Sequence, residues 1–155
     1  PRYPLNYTKS DNSTIISQII LEQNKKIDNY ISKNLENNYL NSKKGFYYFF
    51  QKTNNLSAKK PEFGDIITFN YSVKNLKNNL IYEEELIGDQ SYIMGKQEII
   101  SGLREALQLL KNGEIATFIF PSYKAYGIYG DNNKIPPNSA IICTIKVKSI
   151  NSNQN

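Results

Sequence analysis

Apolar positions recur through residues 13 to 38 at spacings of three, four and seven: Ile16, Ile19, Ile20, Ile27, Tyr30, Ile31 and Leu35. That period predicts one amphipathic helix with a polar opposite face, about 39 Å long at about 1.5 Å per residue. The stripe packs either on its own domain or on a second chain as a dimerisation arm. A membrane-surface role fits less well, because Glu22, Asp28 and Glu36 interrupt the lysines of the polar face. The first twelve residues, with two prolines and the start of the polar run TKSDNS, read as a loose tail ending in helix-capping residues. Asn34 to Lys44 reads as a polar connector.

The pattern then shortens to a period of two. GFYYFFQKT, residues 45 to 53, places five aromatics in a row and predicts a buried strand. From Ile66 to Val73, Ile67, Phe69, Tyr71 and Val73 fall on one face and Thr68, Asn70 and Ser72 on the other, a half-buried strand. Leu80 to Tyr82 resume an extended run after a turn at Asn75 to Asn79. Glu83, Glu84 and Glu85 follow; in an extended chain they point to alternate faces, so a solvated edge fits better than a metal site. Leu103, Ala106, Leu107 and Leu110 trace a helix of about three turns, with Ser101 as N-cap and Gly113 as stop. Ile115 to Phe120 and Ile141 to Ile150 are strands, the latter with Ile141, Cys143, Ile145 and Val147 inward. Several antiparallel strands with one short helix inserted late predict an α+β roll, the helix crossing the concave face of a bent sheet.

Composition narrows the chemistry. No histidine occurs in the 155 residues, which removes the usual general base, the Ser-His and Cys-His pairs and the commonest transition-metal ligand. The single cysteine, Cys143, has no partner for a disulfide or a zinc cluster. A net charge of +5 is spread over scattered lysines and reads as a basic surface rather than a nucleic-acid site. No stretch approaches the length needed to span a bilayer, and Pro1 in place of an initiating methionine implies a trimmed form.

Between the last two strands lies PSYKAYGIYGDNNKIPPNSA, a 20-residue connection of the kind that is usually functional. Gly127 and Gly130 permit positive φ, the tyrosines supply rigid walls with polar tips, and Pro136-Pro137 fixes an extended return. This predicts a shaped rim over an apolar groove.

These residues carry a family resemblance. The order GDIITFNY, from Gly64 to Tyr71, then GKQEIISGL, the Gly113-Glu114 turn, AYGIYG and IPPN resembles the FKBP-type peptidyl-prolyl isomerases over about 90 residues. The resemblance implies a bent antiparallel sheet wrapped around one short helix, here preceded by the long N-terminal helix. It also implies cis/trans isomerisation of X-Pro bonds in proline-containing polypeptides, without cofactor, metal or nucleic acid. In the family the amide of the residue at Ile100 and the hydroxyl at Tyr126 hold substrate carbonyls, and Tyr71 joins them in the catalytic groove. Ile99 and Ile135 match lining positions, while Leu103 stands where the family has a tryptophan floor and Cys143 where it has phenylalanine. The family's Phe-Asp pair appears as Ile81-Tyr82, and another pocket phenylalanine aligns with Gln90. These replacements predict a wider groove, less polar on one wall and less selective. A non-catalytic peptide-holding or chaperone module is the alternative expectation.

GFYYFF, EIISGLREALQLLKNGE, FPSYKAYGIYG and the helical extension look more specifically like the gliding-motility-associated lipoproteins of this family. That likeness implies a periplasmic or envelope location, with the membrane reached only through a lipid anchor outside this chain. The expected organisation is a tail and helix over 1 to 43, the isomerase domain over 44 to 150 and a disordered tail over 151 to 155. A homodimer through residues 13 to 38 completes the expectations.

Overall fold

The structure, a computed structural model, describes residues 9–56 and 59–152. Helix α1 (Lys9–Ser32) is followed by a 3-10 turn (Leu35–Asn37) and strands β1 (Leu40–Asn41), β2 (Tyr47–Lys52), β3 (Ile66–Lys74) and β4 (Leu80–Tyr82). Then come the single-turn α2 (Glu84–Ile87), β5 (Gln90–Ile93), α3 (Ser101–Leu107), β6 (Ile115–Phe120), a 3-10 turn (Ser122–Lys124) and β7 (Ile141–Asn151). The strands form one antiparallel sheet in the order β1-β2-β6-β7-β3-β4. The other edge of β3 is shared: its first half pairs with β5 and its end with β4.

Alternation decides what each face does. The inner face of β3, β6 and β7 presents Ile67, Phe69, Val73, Ala116, Phe118, Phe120, Ile141, Cys143, Ile145 and Val147, all buried. Onto them α3 sets Leu103, Ala106 and Leu107, and β2 is preceded by Phe46, whose ring meets Phe118 and Phe120 edge-on at 5.9 and 5.3 Å. The outer face carries a smaller apolar patch, Ile119, Ala140 and Ile142, and α1 lies on it through Ile27, Tyr30 and Ile31. The stripe therefore has a partner in its own chain, while Ile16 and Leu21 on the same helix stay exposed.

Several boundaries differ from expectation. Helix α1 begins at Lys9, inside the run expected to cap it, and ends at Ser32 rather than near residue 38. The stop lies in the Asn-rich stretch that follows: Asn34 Nδ2 donates to the Tyr30 carbonyl at 2.8 Å and Asn38 adopts a left-handed φ of 54°. Side chains that compete for backbone groups end helices in this way. Leu35 thus leaves the helical stripe and is 68% exposed. Helix α3 spans two turns, not three, because Leu109 and Leu110 bond back to Ala106 and Leu107 in the tighter i to i+3 pattern. Its N-cap is Ile100 with no side-chain bond, so Ser101 is not the cap. Glu84 and Glu85 sit in α2, not in an extended run, and Glu84 pairs with Lys146 at 3.0 Å. Strand β5 is too short to announce itself by period, and β7 includes Asn151, placed in the tail by sequence. Residues 1–8 and 153–155 of the expected tails lie outside the described residues.

Two buried carboxylates brace the loops. Glu114 accepts the amides of Asn54 and Lys111 at 3.0 and 2.8 Å, joining the exit of β2 to the turn after α3. Asp65 accepts the Glu62 amide at 2.9 Å and holds the entry to β3.

Candidate active site

The site lies where α3, the C-terminal half of β3, β4 and the loop between β6 and β7 meet at the inner face. Strand β7 places Cys143 in the core at 0% exposure and α3 adds Leu103 to the same cluster at 4%, so both serve as floor rather than as walls. Ile135 comes down from the loop and is also buried. Around them, half-buried against the same cluster, stand Tyr71 from β3, Ile81 and Tyr82 from β4, Ile99 and Ile100 at the entry to α3, and Tyr126 from the loop. Nine of the ten expected residues thus belong to the inner core cluster or pack against it. Gln90 is the one that does not: it lies exposed on β5 opposite Phe69, with Nε2 donating to the Ile87 carbonyl at 3.0 Å.

The loop over this floor has its shape fixed by glycine. Gly130 has φ of 69°, and a Cβ there would stand 2.3 Å from the Ile135 carbonyl oxygen. The chain closes on itself at that point, with the Asp131 amide donating to the same carbonyl at 3.1 Å.

Burial holds the phenols and the thiol of the site in their protonated forms. Burial pushes the Tyr126 hydroxyl well above the ordinary phenol range, and neighbouring Tyr71, Cys143, Asp131 and Tyr82 push it further. Tyr71 is raised by burial and by Cys143, a shift partly offset by the neighbouring Tyr126 hydroxyl. Burial alone raises the Cys143 thiol. These groups therefore serve near neutral pH as neutral donors and packing surfaces, and the thiolate form that a cysteine nucleophile needs is suppressed. The Ile100 N–H, at the start of α3, donates to no backbone carbonyl among the described residues.

Sequence reasoning expected this wall to have lost its carboxylate. The loop restores one: the Tyr82 hydroxyl donates to Asp131 Oδ2 at 2.5 Å. Asp131 Oδ1 accepts the amides of Asn133 and Ile135 at 3.0 and 2.9 Å. Partial burial raises the Asp131 carboxyl, but its hydrogen bonds from Tyr82, Ile135 and Asn133 outweigh that and hold it below the usual range. The same bond to Asp131 raises Tyr82. Lys134 adds its amide to the Tyr82 oxygen at 3.3 Å and its ammonium over the Tyr82 ring at 5.6 Å. The wall is polar, contrary to the prediction, because the carboxylate comes from a different segment. The DNN run directly after Gly130 was the signal: an aspartate followed by free amides caps its own turn.

Beside the site runs a groove of about 640 Å³ bordered by Leu76, Ile81, Lys134, Pro136 and the α1 residues Gln23 and Lys26. Among the described residues no group of three or more His, Cys, Asp or Glu could hold a metal ion, and no helix is long and apolar enough to cross a membrane.

Comparison with known proteins places these features in context. The family model described as FKBP-type peptidyl-prolyl cis-trans isomerase matches residues 57–148. The probable FKBP-type peptidyl-prolyl cis-trans isomerase FkpA of Neisseria meningitidis serogroup B is 31% identical over 98 residues, 63% of this chain and 36% of that protein. A probable FKBP-type isomerase of Haemophilus influenzae is 30% identical over 56% of this chain and 36% of its own length. The chain thus spans about a third of the length of these curated relatives. Among solved structures, a peptidyl-prolyl cis-trans isomerase of Pseudomonas syringae superposes with a TM-score of 0.70 at 16% identity, covering 88% of this chain and 96% of that one. The N-terminal domain of FKBP42 from Arabidopsis thaliana gives 0.65 at 17% identity, over 74% and 92%. At these identities the structural likeness speaks for the fold alone.

Proposed function

Because the chain belongs to the FKBP-type peptidyl-prolyl cis-trans isomerase family, we propose that its inner groove isomerises X-Pro bonds in polypeptides. Rotation about the imide faces a barrier of about 18–20 kcal/mol, set by the resonance lost in the twisted state. A catalyst needs only to bind the twisted imide better than either planar form. Here Leu103, Ile135, Cys143, Ile99 and Ile81 supply an apolar bed that strips water from the proline and its carbonyl, lowering the charge separation lost on twisting. The Ile100 N–H and the Tyr126 hydroxyl hold flanking carbonyls, and Tyr71 supports Tyr126. The observation that carries this reading is Tyr126 itself, a hydroxyl half-buried against the apolar inner cluster and desolvated by it.

The test is protease-coupled isomerisation of a Xaa-Pro peptide. The parent protein is expected to exceed the spontaneous rate and Tyr126→Phe to lose about tenfold, the order expected for one lost hydrogen bond in a dry site. A parent rate equal to the spontaneous one overturns the isomerase reading; a Tyr126→Phe rate equal to the parent's overturns the donor role. A peptide-holding module without turnover is the second reading, favoured by Ile81 and Tyr82, which stand where the family has a Phe-Asp pair.

The groove bordered by Leu76, Ile81 and Pro136 receives the polypeptide beyond the proline in this proposal. We further infer a place among the motility-associated lipoproteins of the cell envelope, anchored by a lipid outside this chain and assisting the folding of exported proteins. Residues 1 to 43 form the extension and 44 to 150 the isomerase unit. The exposed Ile16 and Leu21 of α1 are the side chains through which two copies would pair.

A further inference from the structure

The N-terminal helix carries one residue that its own pattern does not explain. Gln23 stands four, seven and eight residues before Ile27, Tyr30 and Ile31, so it occupies the apolar stripe that faces the sheet, and it is only 6% exposed. A buried primary amide is costly unless both of its ends are bonded. Both are. Gln23 Oε1 accepts the Ser122 amide at 2.5 Å, and Gln23 Nε2 donates to the Asn138 carbonyl at 2.8 Å. The two partners lie at opposite ends of the loop between β6 and β7.

Inside the loop the same two residues bond to a third. The Gly127 amide donates to the Ser122 carbonyl at 2.8 Å, and the Asn138 amide donates to the Gly127 carbonyl at 2.9 Å. The four bonds close a ring: Gln23 to Asn138, Asn138 to Gly127, Gly127 to Ser122, Ser122 to Gln23. Every donor in it meets an acceptor, so the glutamine amide fits in one orientation only. Gly127 sits at the middle with φ of 67°, a backbone setting that glycine adopts freely. Its chain neighbour is Tyr126.

We propose that Gln23 is a positioning residue for the isomerase site: through this ring the N-terminal helix fixes both ends of the loop and the peptide next to Tyr126, and so holds the Tyr126 hydroxyl where it acts. The inference rests on the isomerase reading for its catalytic consequence, but the ring itself does not. Helix α1 is then part of the catalytic unit rather than an appendage to it. A hydroxyl displaced by about 1 Å loses most of its effect on a transition state. Plain packing would have placed a leucine or isoleucine at this stripe position.

Two variants and two measurements test this. Gln23→Met keeps the length and the apolar contact but removes both bonds, whereas Ile27→Ala loosens the same helix and leaves the ring intact. Isomerisation is followed with each, together with amide hydrogen exchange resolved at Gly127 and Asn138. Gln23→Met is expected to lower kcat about tenfold at little changed KM, and to speed exchange at both amides at least tenfold. Ile27→Ala is expected to leave kcat near the parent value and to speed exchange at the two amides by no more than its loss of global stability, measured by urea unfolding, accounts for. Equal kcat losses in the two variants would reduce Gln23 to a structural role and overturn the proposal. If the parent shows no isomerase activity, the functional reading falls by itself and exchange decides the ring: faster Gly127 and Asn138 amides in Gln23→Met uphold it, unchanged ones overturn it.

Discussion

The two faces of the sheet are built on different terms. The inner face is a continuous apolar bed in which Phe118 stacks on Tyr48 at 5.4 Å and on Phe120 at 5.7 Å, with Phe46 packed edge-on against both phenylalanines. The outer face has a small apolar patch, beside which Thr117 and Thr144 share a hydrogen bond at 2.8 Å and Gln23 is fully bonded. The inner face supplies area removed from water; the outer face supplies direction, because hydrogen bonds fix geometry where apolar contact only fills space. The loop that carries Tyr126 is gripped from both sides, by Gln23 from outside and by the Tyr82–Asp131 bond from inside.

The largest expected effect tests that division directly. Phe118→Ala removes a fully buried ring from the middle of the inner cluster and should cost about 3–5 kcal/mol. Ile27→Ala removes the only buried isoleucine that α1 sends to the outer face among its described side chains, and should cost about 2 kcal/mol, because the partly exposed helix relaxes into the space. Urea unfolding measures both. Equal losses would break the comparison, since they would make α1 as much a part of the core as the strands.

How much of this was legible in the sequence follows from the same contrast. The inner face was readable because period two writes it plainly: Ile67, Phe69, Tyr71 and Val73 in β3, and Ile141, Cys143, Ile145 and Val147 in β7, are inward as the alternation required. The outer patch was hidden in the same strands. Ile119 and Ile142 occupy the phase that alternation assigns to solvent, and only a helix from a distant segment gives them a partner. The site divides in the same manner. Tyr71, Ile100 and Tyr126, the residues proposed to act, lie on motif-bearing runs, whereas Asp131 and Gln23 bond to partners 49 and 115 residues away. No local period encodes such contacts. The three-glutamate run misled because α2, one turn long, is set by the Gly88 amide reaching back to Glu84 and not by any repeat.

A smaller effect sharpens the inner grip on the loop. Asp131 has its carboxyl held below its ordinary value of 3.8 in the folded chain, so the ionised form favours the fold. Its contribution is therefore fully present above that value and is lost as pH falls through the depressed range. Asp131→Asn should be less stable than the parent at pH 7, and the two should converge as the solution is acidified below about pH 4. The difference stays small because the carboxylate is largely solvated. A constant gap across the titration would mean that the aspartate acts by shape alone, and that the loop is gripped chiefly from the outer side.

The smallest effect concerns how each face treats a buried polar atom. On the outer side Gln23 uses both ends of its amide. On the inner side Tyr92, opposite Ile67 and 2% exposed, has a hydroxyl with no hydrogen-bond partner among the described residues. An unbonded buried hydroxyl costs roughly 1–3 kcal/mol by desolvation, and the ring supplies the packing without it. Tyr92→Phe should therefore raise stability by about 1 kcal/mol, a gain visible as a higher urea midpoint at unchanged slope. Gln23→Met changes a buried polar group in the same apolarising sense, but it strands the Ser122 amide and the Asn138 carbonyl and should not stabilise. If both substitutions raised the midpoint, the outer hydrogen bonds would be worth no more than the inner void of partners, and the difference between the faces would be one of area alone.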